Sequence, residues 1–213
     1  MKIFFYFIIC FNTINSNAFE LLSGDILFQD GSNVLQNDFN NAVGSVTKSV
    51  DGYNFSHCGI YYVDSSGNKL VIEAFNDGVV QTDISVFMNR YLTDENHPKV
   101  VVGRLVDSLE TLIPAAIQNA LKYLGKKYDN EFDLTNDKIY CSELIYFAFK
   151  NLNDKNIFET NLMTFIDINT NQIHPYWLEH FNSLGIPVPE GKEGINPGAI
   201  SKSNNIKIVY YYY

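Results

Sequence analysis

After Cys141, apolar residues recur at Leu144, Ile145, Ala148, Phe149 and Leu152, the spacing of one face of an α-helix. The pattern predicts a helix that opens at Cys141, with Asp137 ahead of it as a helix-start residue and the polar cluster Asn151–Asn153 as its stop. Ile113, Ala116, Ile117, Ala120, Leu121 and Leu124 mark a second amphipathic helix, with Pro114 in its first turn and Gly125 beyond its end. Elsewhere the runs are short and β-type: Gly24–Phe28, Ser56–Val63, Leu70–Phe75, Val79–Thr82, Val100–Leu105 and Ile206–Tyr210. Polar turns at Asp64–Asn68 and Asn76–Gly78 join three of these into an antiparallel meander, and the last run is placed to close a sheet edge. Residues 29–54, rich in Asn, Ser, Gly and Asp, read as a surface loop or short helical piece; 175–184 reads as a short helix and 185–198 as coil. No repeat or linker divides residues 19–213, so the reading is one α+β domain.

Composition narrows the classes. With 213 residues and 46% apolar content the chain can bury a substantial core, and 14 Tyr and 16 Phe give that core aromatic weight. A net charge of −9 speaks against a nucleic-acid surface, which needs clustered Lys and Arg, and against electrostatic attachment to anionic lipid. Residues 1–18 differ from the rest: Lys2, an apolar run from Ile3 to Phe11, and a small residue at Ala18. That is the layout of a secretory signal peptide, too short to span a bilayer as a mature helix. Its removal leaves a secreted or periplasmic chain with no stable membrane insertion. A lipoprotein signal ending at Cys10 lacks the small residue expected before a lipidated cysteine. The mature chain then keeps Cys58 and Cys141, which an oxidising compartment could join.

The candidate chemistry centres on Cys141. Unpaired N–H groups and the helix dipole at a helix start favour thiolate over thiol, although most free cysteines are merely small buried hydrophobes. A thiol nucleophile needs a base, and the base works better when a third group fixes its tautomer. On the 56–63 strand, alternation puts His57, Gly59 and Tyr61 on one face and Cys58, Ile60 and Tyr62 on the other. Glu73 has the parity to share the His57 face, as a direct cross-strand neighbour about 4.5–5.5 Å away at Cβ. If the Cys141 helix packs on that face, Cys58 points away from Cys141, and a 58–141 disulfide and a 57–141 dyad exclude each other. Gly59 would leave room above the strand for a substrate chain, or mark a bulge. Asp25 is an alternative partner for the imidazole, though a turn-stabilising role suits it better. Glu143, two residues into the helix, suits the dipole. His97, His174 and His180 lack zinc-ligand spacing, so neither a metal nor another cofactor is expected.

The ordered set Gly24-Asp25-Ile26-Leu27-Phe28, Ser56-His57-Cys58-Gly59-Ile60-Tyr61, Val71-Ile72-Glu73-Ala74, Tyr128-Asp129, Tyr140-Cys141-Ser142-Glu143-Leu144 and Asn196-Pro197-Gly198-Ala199-Ile200 resembles the YiiX-like, circularly permuted papain-fold hydrolases of the NlpC/P60 superfamily. In that family the histidine strand precedes the cysteine helix, as here. The resemblance implies an antiparallel sheet or half-barrel packed on helices, with the cysteine at the N-terminus of one helix. It implies Cys141 as nucleophile, His57 as base and then acid, and Glu73 as the residue that orients His57. The backbone N–H of Cys141 would serve the oxyanion, and Tyr140 or Tyr128 would add a hydroxyl or a pocket wall. The implied activity is cleavage of an amide bond in a peptide or a peptidoglycan stem peptide. Two rivals use the same residues: a lipid esterase or acyltransferase, and a catalytically silent peptide-binding module.

Overall fold

A computed structural model describes residues 19–32, 38–150 and 156–213; the expected signal peptide at residues 1–18 and the expected Asn151–Asn153 stop lie outside them. Six strands form one antiparallel sheet: β1 (Ile26–Gln29), β2 (His57–Val63), β3 (Lys69–Phe75), β4 (Gly78–Asp83), β5 (Val100–Leu105) and β10 (Ile206–Tyr211), in the order β10-β5-β1-β2-β3-β4. The expected meander is β2-β3-β4, and the final run forms the edge strand beside β5. Between them the chain adds α1 (Asp38–Val46), α2 (Ile84–Met88), α3 (Ile113–Leu121), α4 (Cys141–Phe149), α5 (Pro175–Ser183) and α6 (Pro197–Ser201). Two ribbons of two-residue strands, β6 (Asn161–Leu162) with β9 (Glu193–Gly194) and β7 (Ile166–Asp167) with β8 (Gln172–Ile173), stand apart from the main sheet.

The sheet buries both faces, and the alternation of β2 decides what each holds. Cys58, Ile60 and Tyr62, with Ile72 and Ala74 of β3, face α3 and α4 and pack in one cluster with Ala116, Ala120, Leu144, Ile145 and Ala148. Leu27, Tyr61, Val71, Val100 and Val102 face the other way and are covered by Phe87 of α2. Helix α4 therefore packs on the Cys58 face, not on the His57 face that had been made the condition for the dyad. Asp83 caps α2 by accepting the Ser85 N–H at 2.8 Å, and this five-residue helix had no periodicity to announce it. Among the described residues no helix is long and apolar enough to cross a membrane.

Candidate active site

Helix α4 begins at Cys141, with Tyr140 as its N-cap; Asp137 is exposed and makes only a 3.8 Å ion pair with Lys126. Glu143 reaches back to accept the Tyr140 N–H at 3.1 Å, one half of a capping box. Its other carboxylate oxygen is buried without a partner. Burial pushes its pKa up to about 8, so near neutral pH this group is an uncharged acid, not the dipole-complementing carboxylate anticipated. The start of α4 is tied on two sides. Ile139, just ahead, bonds its N–H to the Lys127 carbonyl at 2.9 Å, which stitches in the Tyr128-Asp129 segment. Ser142 Oγ donates to the Ile195 carbonyl at 2.9 Å, and the Tyr140 hydroxyl accepts the Ile195 N–H at 3.1 Å. The Asn196-Pro197-Gly198 motif follows directly. Asn196 caps α6, and Gly198 lets it meet residue 48, where a Cβ would stand 2.8 Å from the Lys48 carbonyl oxygen.

His57 is the first residue of β2, at the rim of the sheet, so its ring can reach a side chain presented from the opposite face. Its Nε2–H donates to Glu73 Oε2 at 2.5 Å, and the ring lies close enough to the Cys141 thiol for the two to shift each other's titration. Extending the Ile60–Ile72 pairing puts His57 opposite Phe75 and Glu73 opposite Gly59. His57 and Glu73 are thus diagonal neighbours on one face, where direct neighbours had been expected. Gly59 is what permits the diagonal. A Cβ there would lie 2.5 Å from Val71 Cγ1 and 3.2 Å from Glu73 Cβ, so the glycine makes room for Glu73 and not for a substrate.

Glu73 is fully buried and saturated with donors. Oε1 accepts from Thr82 Oγ1 at 2.5 Å and Arg90 Nη2 at 2.6 Å; Oε2 accepts from His57 and from Arg90 Nη1 at 2.8 Å. Arg90 also donates to Gln29 at 3.2 Å, and its guanidinium lies 3.7 Å from the Phe75 ring centroid. Burial works against the Glu73 charge, but the bonds from Arg90 and His57 outweigh it and hold the pKa down at about 2. Burial likewise opposes a charged His57, and the bonds to Cys141 and Glu73 overcome it, raising the pKa to about 9. The Cys141 thiol is driven well below its ordinary value, first by a hydrogen bond from the Cys58 thiol and then, against the cost of burial, by the His57 ring. These shifts favour a thiolate at Cys141 and an imidazolium at His57, backed by the Glu73–Arg90 ion pair.

Cys58 does not point away from Cys141. It faces α4 and lies in the same buried cluster as Cys141, and both thiols are free. Asp25 does not hold the imidazole; it accepts from Arg104 at 2.7 and 2.8 Å and from the Leu22 N–H at 2.8 Å. His174 caps α5, and His180 bonds the Asn130 carbonyl at 2.7 Å. Among the described residues no group of three or more His, Cys, Asp or Glu could hold a metal ion. Cys141 opens onto an apolar pocket of about 60 Å³ walled by Phe39, Val43, Met163, Phe165 and Trp177, with Tyr140 beside it. His57 faces a more polar cleft of about 300 Å³ with Asn40, Asn76, Tyr91 and Asn130 on its walls. Phe39, Ser56 and Tyr128 line both, so Tyr128 stands at their junction.

Comparison with known proteins agrees with this fold. The protein YiiX of Escherichia coli strain K12 is 24% identical over 184 residues, covering 86% of this chain and 83% of its own. The crystal structure of YiiX from Escherichia coli O157:H7, described as a metalloprotein, superposes with a TM-score of 0.72 at 22% identity, covering 89% of this chain and 97% of that one. Residues 20–210 match the family described as permuted papain-like amidase enzymes, YaeF/YiiX, C92, and the chain belongs to that family.

Proposed function

We propose that this protein is an exported cysteine amidase of the wider NlpC/P60 type, cleaving an amide bond of a peptide or peptidoglycan stem peptide through an acyl-enzyme on Cys141. The observation that carries the reading is the His57 ring, bonded to Glu73 at 2.5 Å and beside a Cys141 thiol that it helps to draw below its ordinary pKa. The thiolate attacks the carbonyl carbon, a C–S bond forms, and the carbonyl electron pair moves to oxygen. The N–H of Cys141, at a helix start without an intrahelical partner, donates to that oxyanion. The Tyr128 hydroxyl, kept protonated by burial, is the second donor, while Tyr140 is a pocket wall tied to Ile195. As the C–N bond breaks, His57 gives its proton to the departing amine; a water, deprotonated by His57, then attacks the thioester and frees the acid and the thiolate. Glu73, held by Arg90, keeps the imidazole in register throughout.

The apolar pocket beside the sulfur favours an acyl group with an aliphatic or aromatic side chain, and the polar cleft beside His57 takes the leaving amine. The same pocket is the one feature that favours a second reading, in which the acyl group is lipid-derived and the enzyme is an esterase or acyltransferase. Incubation with peptide amides, muropeptides and phospholipids under mass detection separates the two. Cys141→Ala and His57→Ala each abolish turnover, and iodoacetamide labels Cys141. Labelling at Cys58 with an active Cys141→Ala enzyme would overturn the assignment.

A further inference from the structure

The cleft continues past the apolar pocket at Cys141. Val46 at the end of α1, Thr47 after it and Thr164 ahead of β7 line that pocket and also a second, larger cavity of about 880 Å³. The larger cavity runs between residues 44–54 and the turn of the β7–β8 ribbon. Its walls are far more polar than those of the pocket: Ser45, Asn54, Asn169 and Asn171 contribute hydroxyls and carboxamides, and the charges of Lys48 and Asp167 balance. The wall on the 44–54 side is held from behind. Thr47 Oγ1 donates to the Val43 carbonyl at 2.6 Å, Ser49 Oγ accepts the Phe55 N–H at 3.1 Å, and Ser201 Oγ accepts the Val50 N–H at 3.1 Å. Asp167 fixes the opposite turn by accepting the Asn169 N–H at 2.7 Å. The groove is thus formed before any ligand arrives.

We propose that the acyl half of the substrate is a peptide whose scissile residue seats a small aliphatic side chain in the apolar pocket, with the residues before it lying along the polar groove. The inference rests on the reading of Cys141 as the nucleophile and chooses between the peptide and lipid acyl groups that reading left open. Volume sets the side chain. About 60 Å³ is room for about two water-sized groups at ~30 Å³ each, the span from a methyl to an isopropyl group, whereas a cavity that takes a benzene ring is ~150 Å³. A long lipid chain would leave this pocket after its first few carbons and then run over carboxamides and hydroxyls, stripping their water without offering a hydrogen bond. A peptide carries a backbone donor and acceptor at nearly every residue, the complement of those side chains. A cavity of about 880 Å³ is in the range that holds a drug-sized ligand, about two or three residues of chain. The balanced charge of the walls suits neutral polar side chains there, not acidic or basic ones.

The test joins four acyl groups to one leaving amine, glycinamide: N-acetylalanine, the same group lengthened by a serine and an asparagine before the alanine, N-acetylphenylalanine, and palmitic acid. Binding is read in Cys141→Ala from the emission of Trp177, the single tryptophan of the chain, which lines the pocket; turnover is read in the parent protein. Lengthening the peptide should lower Kd and raise kcat/KM about tenfold, the worth of one or two net hydrogen bonds, while the phenylalanine and palmitoyl compounds bind no better than the short alanine one. Thr164→Phe sets a ring at the junction of pocket and groove, on a loop where the hydroxyl bonds only the Ile166 N–H at 3.2 Å, and should erase the gain from lengthening. Asn54→Ala with Asn169→Ala, both on the exposed groove wall, tests the same point should the ring disturb the loop. Equal binding of the short and long peptides, a gain that survives both variants, or tightest binding of the phenylalanine or palmitoyl compound overturns the proposal. If Cys141→Ala still cleaves the peptides, the nucleophile reading falls and the binding comparison decides the groove by itself; if the parent cleaves and lengthening gains nothing, only the groove falls.

Discussion

Replacing Glu73 by Gln removes one negative charge from a group that is fully buried and bonded to Arg90, whose side chain is only 13% exposed. Two routes give the size of the effect. Breaking a buried ion pair from one side costs about 3–5 kcal/mol, because the surviving charge is stranded. Independently, a pKa held at about 2 against an ordinary 4.5 corresponds to about 3 kcal/mol of preference for the folded state. The sign follows from the depression: this stability is present above pH 4.5 and is lost as pH falls toward 2. At about 2–4 °C per kcal/mol for a chain of this size, the melting temperature of Glu73→Gln at pH 7 drops by roughly 6–20 °C. The informative comparison is the double variant Glu73→Gln with Arg90→Met, which removes the stranded cation as well. Calorimetry should show it recovering part of the lost stability, while amidase turnover stays low because His57 still lacks its carboxylate. A single variant as stable as the parent, or a double variant that regains turnover, would refute this account of the site.

Turnover itself should fall as pH rises through about 9, where His57 loses the proton it gives to the leaving amine, while alkylation of Cys141, which needs only the thiolate, stays high. Gly59→Ala pushes a methyl into Val71 and Glu73, so it should cost about 1–3 kcal/mol by denaturant titration and reduce turnover through the displaced carboxylate. Glu143→Gln removes a carboxyl whose pKa burial raises to about 8; the variant should gain stability progressively between about pH 4.5 and 8, on the order of a few kcal/mol, with no further gain above. Asp25→Asn breaks the pair with Arg104 and should lower the melting temperature without changing the alkylation profile of Cys141, since Asp25 has no contact with His57.

The parts of this site that were legible in the chain are those set by period. Side chains alternate on a strand, so placing His57 and Glu73 on one face needed only an odd-numbered turn, and the five residues Asp64–Asn68 between the paired Val63 and Lys69 supply it. The absolute register depends on which residues close that turn, and this converts the expected direct pair into a diagonal one. The helix face and its opening at Cys141 were likewise visible; only the start residue was expected at Asp137, whereas the cap is Tyr140, a residue type with no capping preference of its own. Arg90 was invisible for a different reason. It follows a five-residue helix in a stretch with neither strand nor helix period, and its partner is seventeen positions away on another strand. The one available signal was Asp83 followed by Ser85, a helix-start pattern whose consequence is to lay Phe87 and Arg90 over the Glu73 face. Cys58 was misread because the two groups of the dyad were assumed to approach each other across one face of the sheet.

That they do not is the physical core of the arrangement. Cys141 arrives on the α4 face and His57 from the opposite one, and they can meet only because His57 is the first residue of its strand, where the sheet no longer separates the two sides. The consequence is electrostatic. Arg90, Glu73, His57 and Cys141 form a line of alternating charge, positive, negative, positive, negative, that passes around the rim of the sheet and sums to zero. Each buried charge is solvated by its neighbour in place of water, so the thiolate does not depend on bulk solvent and persists when a substrate closes the pocket. Removing any one member leaves the line with a net charge in a buried site, whereas removing the Arg90–Glu73 half together leaves the Cys141–His57 pair neutral and folded. A thiolate that still forms in that double variant, detected by alkylation at acid pH, without efficient turnover would separate the two duties of the line: making the nucleophile and aiming the imidazole.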